Sequence, residues 1–115
     1  MWLITNFGFF SIMRKQGETN LTICSHVKQD LVAFCEKYLP GLGEIKPIAG
    51  ADYRYHASAT PTELAKAMSK IVRDITYDNF RNSVAEQQGS RRAYIYSIWE
   101  SILDLSEEDF EKVDL

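Results

Sequence analysis

The spacing of apolar residues changes along the chain, and where it approaches a period of two it predicts β-strands. Residues 2–13 are rich in aromatic and β-branched side chains and run into a polar turn, so we predict one strand with a bulge at Gly8. Residues 21–27 alternate between apolar and polar side chains and would pair with that strand. A short segment at 44–48, in which Pro47 suits a sheet edge, and a strand at 53–59 form a second predicted hairpin.

From residue 28 apolar residues recur at the spacing of an amphipathic helix, which Pro40-Gly41 ends. Thr60-Pro61-Thr62-Glu63 predicts a second helix, because Thr60 suits the cap, Pro61 the first helical position and Glu63 the third. Its predicted buried stripe consists of Leu64, Ala67, Met68, Ile71, Val72 and Ile75. Gly89 is a helix stop, so residues 77–88 hold a connector or short helix and residues 90–105 the last long helix.

The predicted element order is therefore β-β-α-β-β-α-α, which belongs to the α+β class. Its simplest arrangement is a four-stranded, mainly antiparallel sheet with helices packed on one face. The length of 115 residues suits one domain, which we assign to residues 1–105. Residues 106–115 form an acidic tail, either solvated or folded against a basic surface, and the net charge of −3 gives no general attraction to nucleic acid or anionic membranes.

The two cysteines, Cys24 and Cys35, lack the spacing of metal ligands, and we expect two buried thiols in a reducing cytoplasm. The first residues lack the basic segment of a secretion signal, and no apolar stretch is long enough for a membrane span. We therefore expect a cytoplasmic protein with no membrane association, no metal and no cofactor.

Strand alternation places polar side chains on one face of the predicted sheet. In the second predicted strand, one face carries Thr22, Cys24 and His26, and the other face carries Leu21, Ile23 and Val27. In the fourth predicted strand, one face carries Arg54, His56 and Ser58, and the other face carries Tyr53 and Tyr55. His26 and His56 would then share an open surface with Arg54, where they could bind an anion or transfer protons near neutral pH. His56-Ala57-Ser58 resembles half of the paired motif of two-histidine phosphoesterases, but His26-Val27-Lys28 lacks the hydroxyl. The alternative is that these residues simply solvate the sheet face.

Arg91 falls within the apolar arc of the last predicted helix, formed by Ile95, Ile98, Trp99 and Ile102, and is expected to point inward. It would extend to solvent or pair with a carboxylate such as Asp74 or Asp78. Alternatively, it would lie at the mouth of a pocket lined by Tyr77, Asn79 and Tyr94. In that pocket its guanidinium could clamp a carboxylate or phosphate. Asp78 and Asn79 suit a turn or cap and would bind a ligand only with spare hydrogen-bonding capacity.

Three segments of the sequence resemble a widespread family of short bacterial proteins. The segments are Met1-Trp2-Leu3-Ile4-Thr5-Asn6-Phe7-Gly8-Phe9-Phe10-Ser11, Ala51-Asp52-Tyr53-Arg54-Tyr55, and Asp74-Ile75-Thr76-Tyr77-Asp78-Asn79-Phe80 with a later Arg92-Ala93-Tyr94-Ile95-Tyr96-Ser97-Ile98-Trp99. Arg81 stands where the family has lysine. The resemblance implies a bacterial or bacteriophage cytoplasmic origin and supplies no activity.

We therefore expect a binding or regulatory module that acts through a macromolecular partner, most simply a protein. The candidate binding residues are Arg54, His56, Tyr77, Asp78, Asn79, Arg91 and Tyr94. One alternative is a phosphoester- or nucleotide-processing enzyme that uses His26 and His56 with Arg54 or Arg91. The other is a nucleic-acid-binding protein that uses the basic row of Lys66, Lys70 and Arg73 on the second helix. The sequence does not indicate an oligomeric state.

Overall fold

A computed structural model of the chain describes residues 1–102 and 107–110. These residues form an α+β fold with an antiparallel sheet against which helices pack, as predicted. The sheet has five strands instead of four. The elements are β1 (Trp2–Thr5), β2 (Gly8–Met13), β3 (Leu21–Ser25), α1 (Lys28–Lys37), β4 (Lys46–Pro47), β5 (Tyr55–Ala59), α2 (Pro61–Arg73), α3 (Phe80–Gln88), α4 (Ser90–Ile102) and a short 3-10 helix (Glu107–Phe110). Apart from that short helix, the predicted acidic tail lies outside the described residues.

The additional strand arises because residues 2–13 fold as a hairpin. Thr5 pairs with Gly8, which leaves Asn6 and Phe7 as a two-residue loop. The Thr5 hydroxyl stabilises this loop, because it accepts hydrogen bonds from the amides of Phe7 at 3.2 Å and Gly8 at 3.1 Å and donates to the Gly8 carbonyl at 3.0 Å. Two successive amides are therefore satisfied by one side chain.

Gly8 does not form the predicted bulge. It lies in the first pair of strand β2, where a Cβ atom would come within 2.7 Å of the Phe10 ring and 2.8 Å of the Asp30 Cβ. Because a side chain would not fit there, glycine allows helix α1 to approach the hairpin closely.

The strands are arranged in the order β1-β2-β3-β5-β4. One face of the sheet packs against α1 and α2, where Phe10, Ile23, Leu31 and Phe34 are all fully buried. The rings of Phe10 and Phe34 lie 4.8 Å apart between centroids, so the contact between β2 and α1 is largely aromatic. Burial of these side chains is the main source of stability in this part of the chain.

Helix α2 begins where its capping sequence predicts. The Thr60 hydroxyl accepts a hydrogen bond from the Glu63 amide at 3.1 Å, and Pro61 occupies the first helical position. Most of the predicted buried stripe is covered, since Leu64 and Ala67 are buried and Met68 and Ile71 are half-buried against the core, whereas Val72 is exposed.

The contacts divide the chain into two compact units, Met1–Asp78 and Asn79–Leu115, so the assignment of a single domain to residues 1–105 stays a prediction. In the second unit, Asn79 caps α3 by accepting a hydrogen bond from the Asn82 amide at 2.9 Å, and Gly89 ends that helix with a positive φ of 94°. Helices α3 and α4 pack together through Val84, Ala93 and Tyr96. No helix among the described residues is long and apolar enough to cross a membrane.

Candidate binding surface

The face of the sheet opposite α1 and α2, called here the outer face, is defined by one row of paired residues across all five strands. The row consists of Trp2, Ser11, Cys24, His56 and Lys46. Residues directly opposite in an antiparallel sheet project to the same side, so these five side chains share the outer face. Phe9 and Met13 belong to the same face, because they lie two residues from Ser11 on β2.

Four rings at one end of this face form a group that we call the outer cluster: Trp2, Phe9, His26 and Tyr53. Phe9 lies at its centre, with ring centroids 5.8 Å from Trp2, 5.9 Å from His26 and 6.3 Å from Tyr53. The His26 and Tyr53 rings stack with centroids 4.4 Å apart. Phe9 is only 7% exposed although it is separate from the core between the sheet and the helices, whereas Trp2 is 66% exposed. The cluster thus combines a buried centre with exposed rings at its rim.

Tyr53 lies with the polar outer face, although strand alternation assigned it to the opposite side. The reason is that strand β5 begins at Tyr55, and residues 52–54 form a bend to which the period of two does not apply. In this bend Tyr53 contacts both histidines. Its ring stacks on His26, and its carbonyl oxygen accepts a hydrogen bond from Nε2 of His56 at 2.9 Å.

The hydrogen bond to Tyr53 determines what the His56 ring can do. Because a carbonyl only accepts, Nε2 of His56 carries a proton, and in the neutral ring Nδ1 is then an acceptor. Nδ1 is buried and has no hydrogen-bond partner in the part of the chain that the structure describes. The ring is half-buried and held in position by a backbone contact, whereas His26 is exposed.

The middle of the outer face is less accessible than the sequence suggests. Ser11, Thr22 and Cys24 are all buried, although the sequence assigned Thr22 and Cys24 to a polar and open face. Burial raises the pKa of the Cys24 thiol, and the positive charge of Lys15 acts in the opposite direction. Cys24 is therefore a neutral, unbridged thiol near pH 7, as expected of a buried cysteine.

The charges of the outer face are mainly positive. No residue of the five described strands is a carboxylate, and Lys46 ends the paired row on β4. Arg54 is exposed, and its carbonyl accepts a hydrogen bond from the Ile48 amide at 2.7 Å, which extends the β4–β5 pairing into the bend. Lys46 thus lies on the edge strand opposite His56, and Arg54 follows Tyr53 of the outer cluster in the bend.

A groove lies on the first unit, between the β1–β2 hairpin and the last turns of α2. This groove has a volume of about 200 Å³ and is lined by Leu3, Ile4, Thr5, Asn6, Phe7, Tyr38, Met68, Ile71, Val72, Asp74, Ile75 and Tyr77. Val72 and Ile75, which the sequence assigned to a buried stripe, are 62% and 53% exposed. The final part of that stripe therefore lines a groove instead of the core.

A hydrogen bond connects two polar residues of the groove. The Tyr38 hydroxyl donates to Oδ2 of Asp74 at 2.9 Å. Burial raises the pKa of Tyr38 to about 12, and the hydrogen bond to Asp74, the negative charge of Asp74 and the neighbouring Tyr77 act in the same direction. This phenol stays protonated across the physiological range.

The remaining predicted site residues occupy separate positions. Tyr77 lines the groove of the first unit, and Asp78 is exposed at the end of that unit. Asn79 uses its side-chain oxygen to cap α3. Arg91 and Tyr94 are exposed on α4 of the second unit, so Arg91 does not point inward as its position in the apolar arc suggested. A pocket that joins Tyr77, Asn79, Arg91 and Tyr94 stays a prediction.

The basic row of α2, formed by Lys66, Lys70 and Arg73, is exposed as predicted, and helix α2 contains no aromatic residue. Among the described residues, no group of three histidine, cysteine, aspartate or glutamate side chains is placed to hold a metal ion.

Sequence reasoning placed His26, Arg54 and His56 on one face but missed Trp2, Phe9 and Tyr53. The available signal was Thr5-Asn6-Phe7-Gly8, where a hydroxyl residue and a glycine enclose two residues in a long apolar run. Read as a turn, these four residues make residues 2–13 a hairpin, and alternation then brings Trp2 and Phe9 together on one side.

No family model matches the chain, and no significant match was found among curated proteins or solved structures. The family resemblance of the three segments stays a prediction. Within this structure, however, the segments converge. The first supplies Trp2 and Phe9 to the outer cluster, to which the second adds Tyr53. The first also supplies Leu3 and Phe7 to the groove, to which the third adds Asp74 and Tyr77.

Proposed function

We propose that this chain is a small binding module that engages a macromolecular partner through the outer cluster and the neighbouring Arg54. The observation that carries the proposal is the two-thirds exposure of Trp2 beside a packed group of rings outside the core. An indole in this position leaves a large apolar surface in water, and aromatic side chains contribute disproportionately to binding when a partner covers them.

The hydrogen bonding and burial of the His56 ring favour a role in binding over proton transfer by this residue. Its Nε2 is hydrogen-bonded to the Tyr53 carbonyl and its Nδ1 is buried, so neither nitrogen is presented to a substrate on the surface. Within this proposal His56 is a positioning residue that fixes the bend carrying Tyr53. The competing hypothesis of phosphoester chemistry predicts hydrolysis of a generic phosphoester that is lost in both His26→Ala and His56→Ala.

The proposal is tested by capturing partners from a bacterial lysate on the immobilised protein and on a Trp2→Ala/Tyr53→Ala variant. Ile102→Ala is the control, because Ile102 is also a large exposed apolar residue, at 74%, but lies on α4. Circular dichroism and thermal melting establish that each variant is folded. Lysates with and without nuclease are compared, so that protein and nucleic-acid partners are separated.

We expect a partner that is retained by the unmodified protein and by Ile102→Ala and lost by the double variant. Equal retention by all three proteins would contradict the proposed surface. No specific retention by the unmodified protein, in either lysate, would contradict the binding function itself.

A further inference from the structure

We infer that the partner of the outer face is a single-stranded nucleic acid, whose bases stack on Trp2 and on the His26–Tyr53 pair while its phosphates meet Lys46, Arg54 and Lys15. This inference rests on the proposed function and names its partner class. Three properties of the face carry it: the exposed rings, the charge, and the extent of the paired row from one edge strand to the other.

The rings are arranged as a stacking platform. Trp2 and His26 are both exposed, and each lies within 6 Å of the buried Phe9 ring, at 5.8 and 5.9 Å between centroids. The stack of His26 on Tyr53 adds a second supported ring. Proteins that bind single strands use exposed rings of this kind, because every base has a face that can stack and the contact tolerates any sequence.

The charge of the face suits a phosphate backbone. Lys46 ends the row that begins at Trp2, and Arg54 is exposed in the bend that carries Tyr53. Lys15, which follows β2, is exposed, and its positive charge acts on the Cys24 thiol of this face by lowering its pKa. The described strands carry no carboxylate, and the exposed Asp52 lies in the same bend as Arg54. Cations interleaved with rings are typical of nucleic-acid surfaces.

The same features favour single-stranded nucleic acid over other anionic or aromatic ligands. In a duplex the faces of the bases are covered by their neighbours, so rings on a sheet cannot stack on them. The exposed ends of the row, Trp2 and Lys46, lie on the two edge strands, so a ligand that reaches both must span the sheet. This requirement suits an extended chain more than an enclosed small molecule. The basic row on α2 carries positive charge but no aromatic ring, so variants of that row are the internal control.

The first measurement uses the fluorescence of Trp2 itself. The chain has two tryptophans, so Trp99→Phe leaves Trp2 as the sole indole. Titration with an oligothymidylate or oligouridylate of about twelve nucleotides is expected to quench this fluorescence saturably, because a stacked base contacts the indole directly. The same sequence annealed to its complement is expected to give little change.

The second measurement follows a dye-labelled oligonucleotide by anisotropy, so that variants without Trp2 can be compared. We expect Trp2→Ala to weaken binding about ten- to hundred-fold, the range for loss of one stacked base. The double variant Lys46→Gln/Arg54→Gln is expected to weaken binding and to flatten the dependence of log affinity on log salt. The controls Ile102→Ala and Lys66→Gln/Lys70→Gln/Arg73→Gln are expected to bind like the unmodified protein.

Several outcomes would overturn the inference. They are the absence of binding to single-stranded DNA and RNA at low salt, equal affinity for a duplex, unchanged affinity of Trp2→Ala, or loss of binding only in the α2 triple variant. If oligonucleotides do not bind but nuclease-treated lysate still yields a partner that the Trp2→Ala/Tyr53→Ala variant loses, the nucleic-acid inference fails and the binding function stands.

Discussion

The Oδ2 atom of Asp30 accepts a hydrogen bond from the backbone amide of Phe9 at 3.1 Å. The register that pairs Ser11 with Cys24 would place His26 opposite Phe9, but strand β3 ends at Ser25. The carboxylate at the start of α1 therefore takes the place of a strand acceptor. Because Asp30 is buried, this contact joins the first helix to the hairpin that supplies Trp2 and Phe9.

Loss of this acceptor is expected to destabilise the first unit. Asp30→Ala leaves the Phe9 amide buried without its side-chain acceptor, and we expect the free energy of unfolding to fall by about 1–3 kcal/mol. Asp30→Asn keeps an oxygen in the same place and should lose less. Urea unfolding measures both values, and an equal loss in the two variants would show that the hydrogen bond is not the cause.

The pair of Tyr38 and Asp74 predicts a loss of stability at high pH. The pKa of Tyr38 is raised in the folded protein to about 12, from an ordinary value of 10.0. Below pH 10 the phenol is protonated in both states, whereas above it the unfolded chain loses the proton first. The contribution of Tyr38 to stability should therefore be complete below pH 10 and decline as the pH rises towards 12.

Unfolding of the unmodified protein and of Tyr38→Phe at a series of pH values checks this expectation. The stability difference between the two should change between pH 10 and 12 and be constant below pH 10. Tyr94→Phe, which alters an exposed tyrosine, provides the control. A constant difference throughout this range would mean that the Tyr38 proton is not linked to folding.

The two cysteines should differ in reactivity. Cys24 is buried and its pKa is raised, whereas Cys35 is only half-buried. A disulfide reagent attacks the thiolate and needs access to it, so we expect Cys35→Ser, which retains Cys24, to react at least roughly ten-fold more slowly than Cys24→Ser. Similar rates in the native proteins would indicate that the middle of the outer face opens readily.

Substitution of a core residue should reduce stability far more than substitution of an exposed residue of the groove. Phe34 is fully buried against Phe10 and Phe7, and Phe34→Ala is expected to cost about 3–5 kcal/mol of unfolding free energy. Val72→Ala removes methyl groups from the exposed part of the groove and should stay within about 0.5 kcal/mol of the unmodified protein. A large loss in Val72→Ala would instead place this residue in a packed interface.

The sequence predicts those elements whose local signals agree with their tertiary surroundings. Thr60, Pro61 and Glu63 identify the start of α2 because capping is a local interaction. The β1–β2 turn lacks the Asn-Gly type of signal, and its loop residues have negative φ, so the hairpin is concealed in one apolar run. The exposure of Val72 and Ile75 could not be predicted, since helical periodicity identifies an apolar side but not its neighbours.

The candidate site was predictable only where the strands are regular. Alternation along β5 placed His56 on the side opposite Ala57. Tyr53 lies two residues before this strand, in a bend where the direction of a side chain depends on contacts that are distant in sequence. The same holds for His26, which follows the last residue of β3 and meets its ring partner from a different hairpin.

The length of the loop at Asn6 and Phe7 determines which residues of strand β2 project to each face of the sheet. Because side chains alternate, a shift of one position between β1 and β2 would exchange every inward and outward residue of one strand. Trp2 and Phe9 would no longer share a side, and Leu3 and Phe10 would be separated in the same way. The hydroxyl of Thr5 thus sets, through the length of one loop, which aromatic residues stabilise the interior and which remain available for contact.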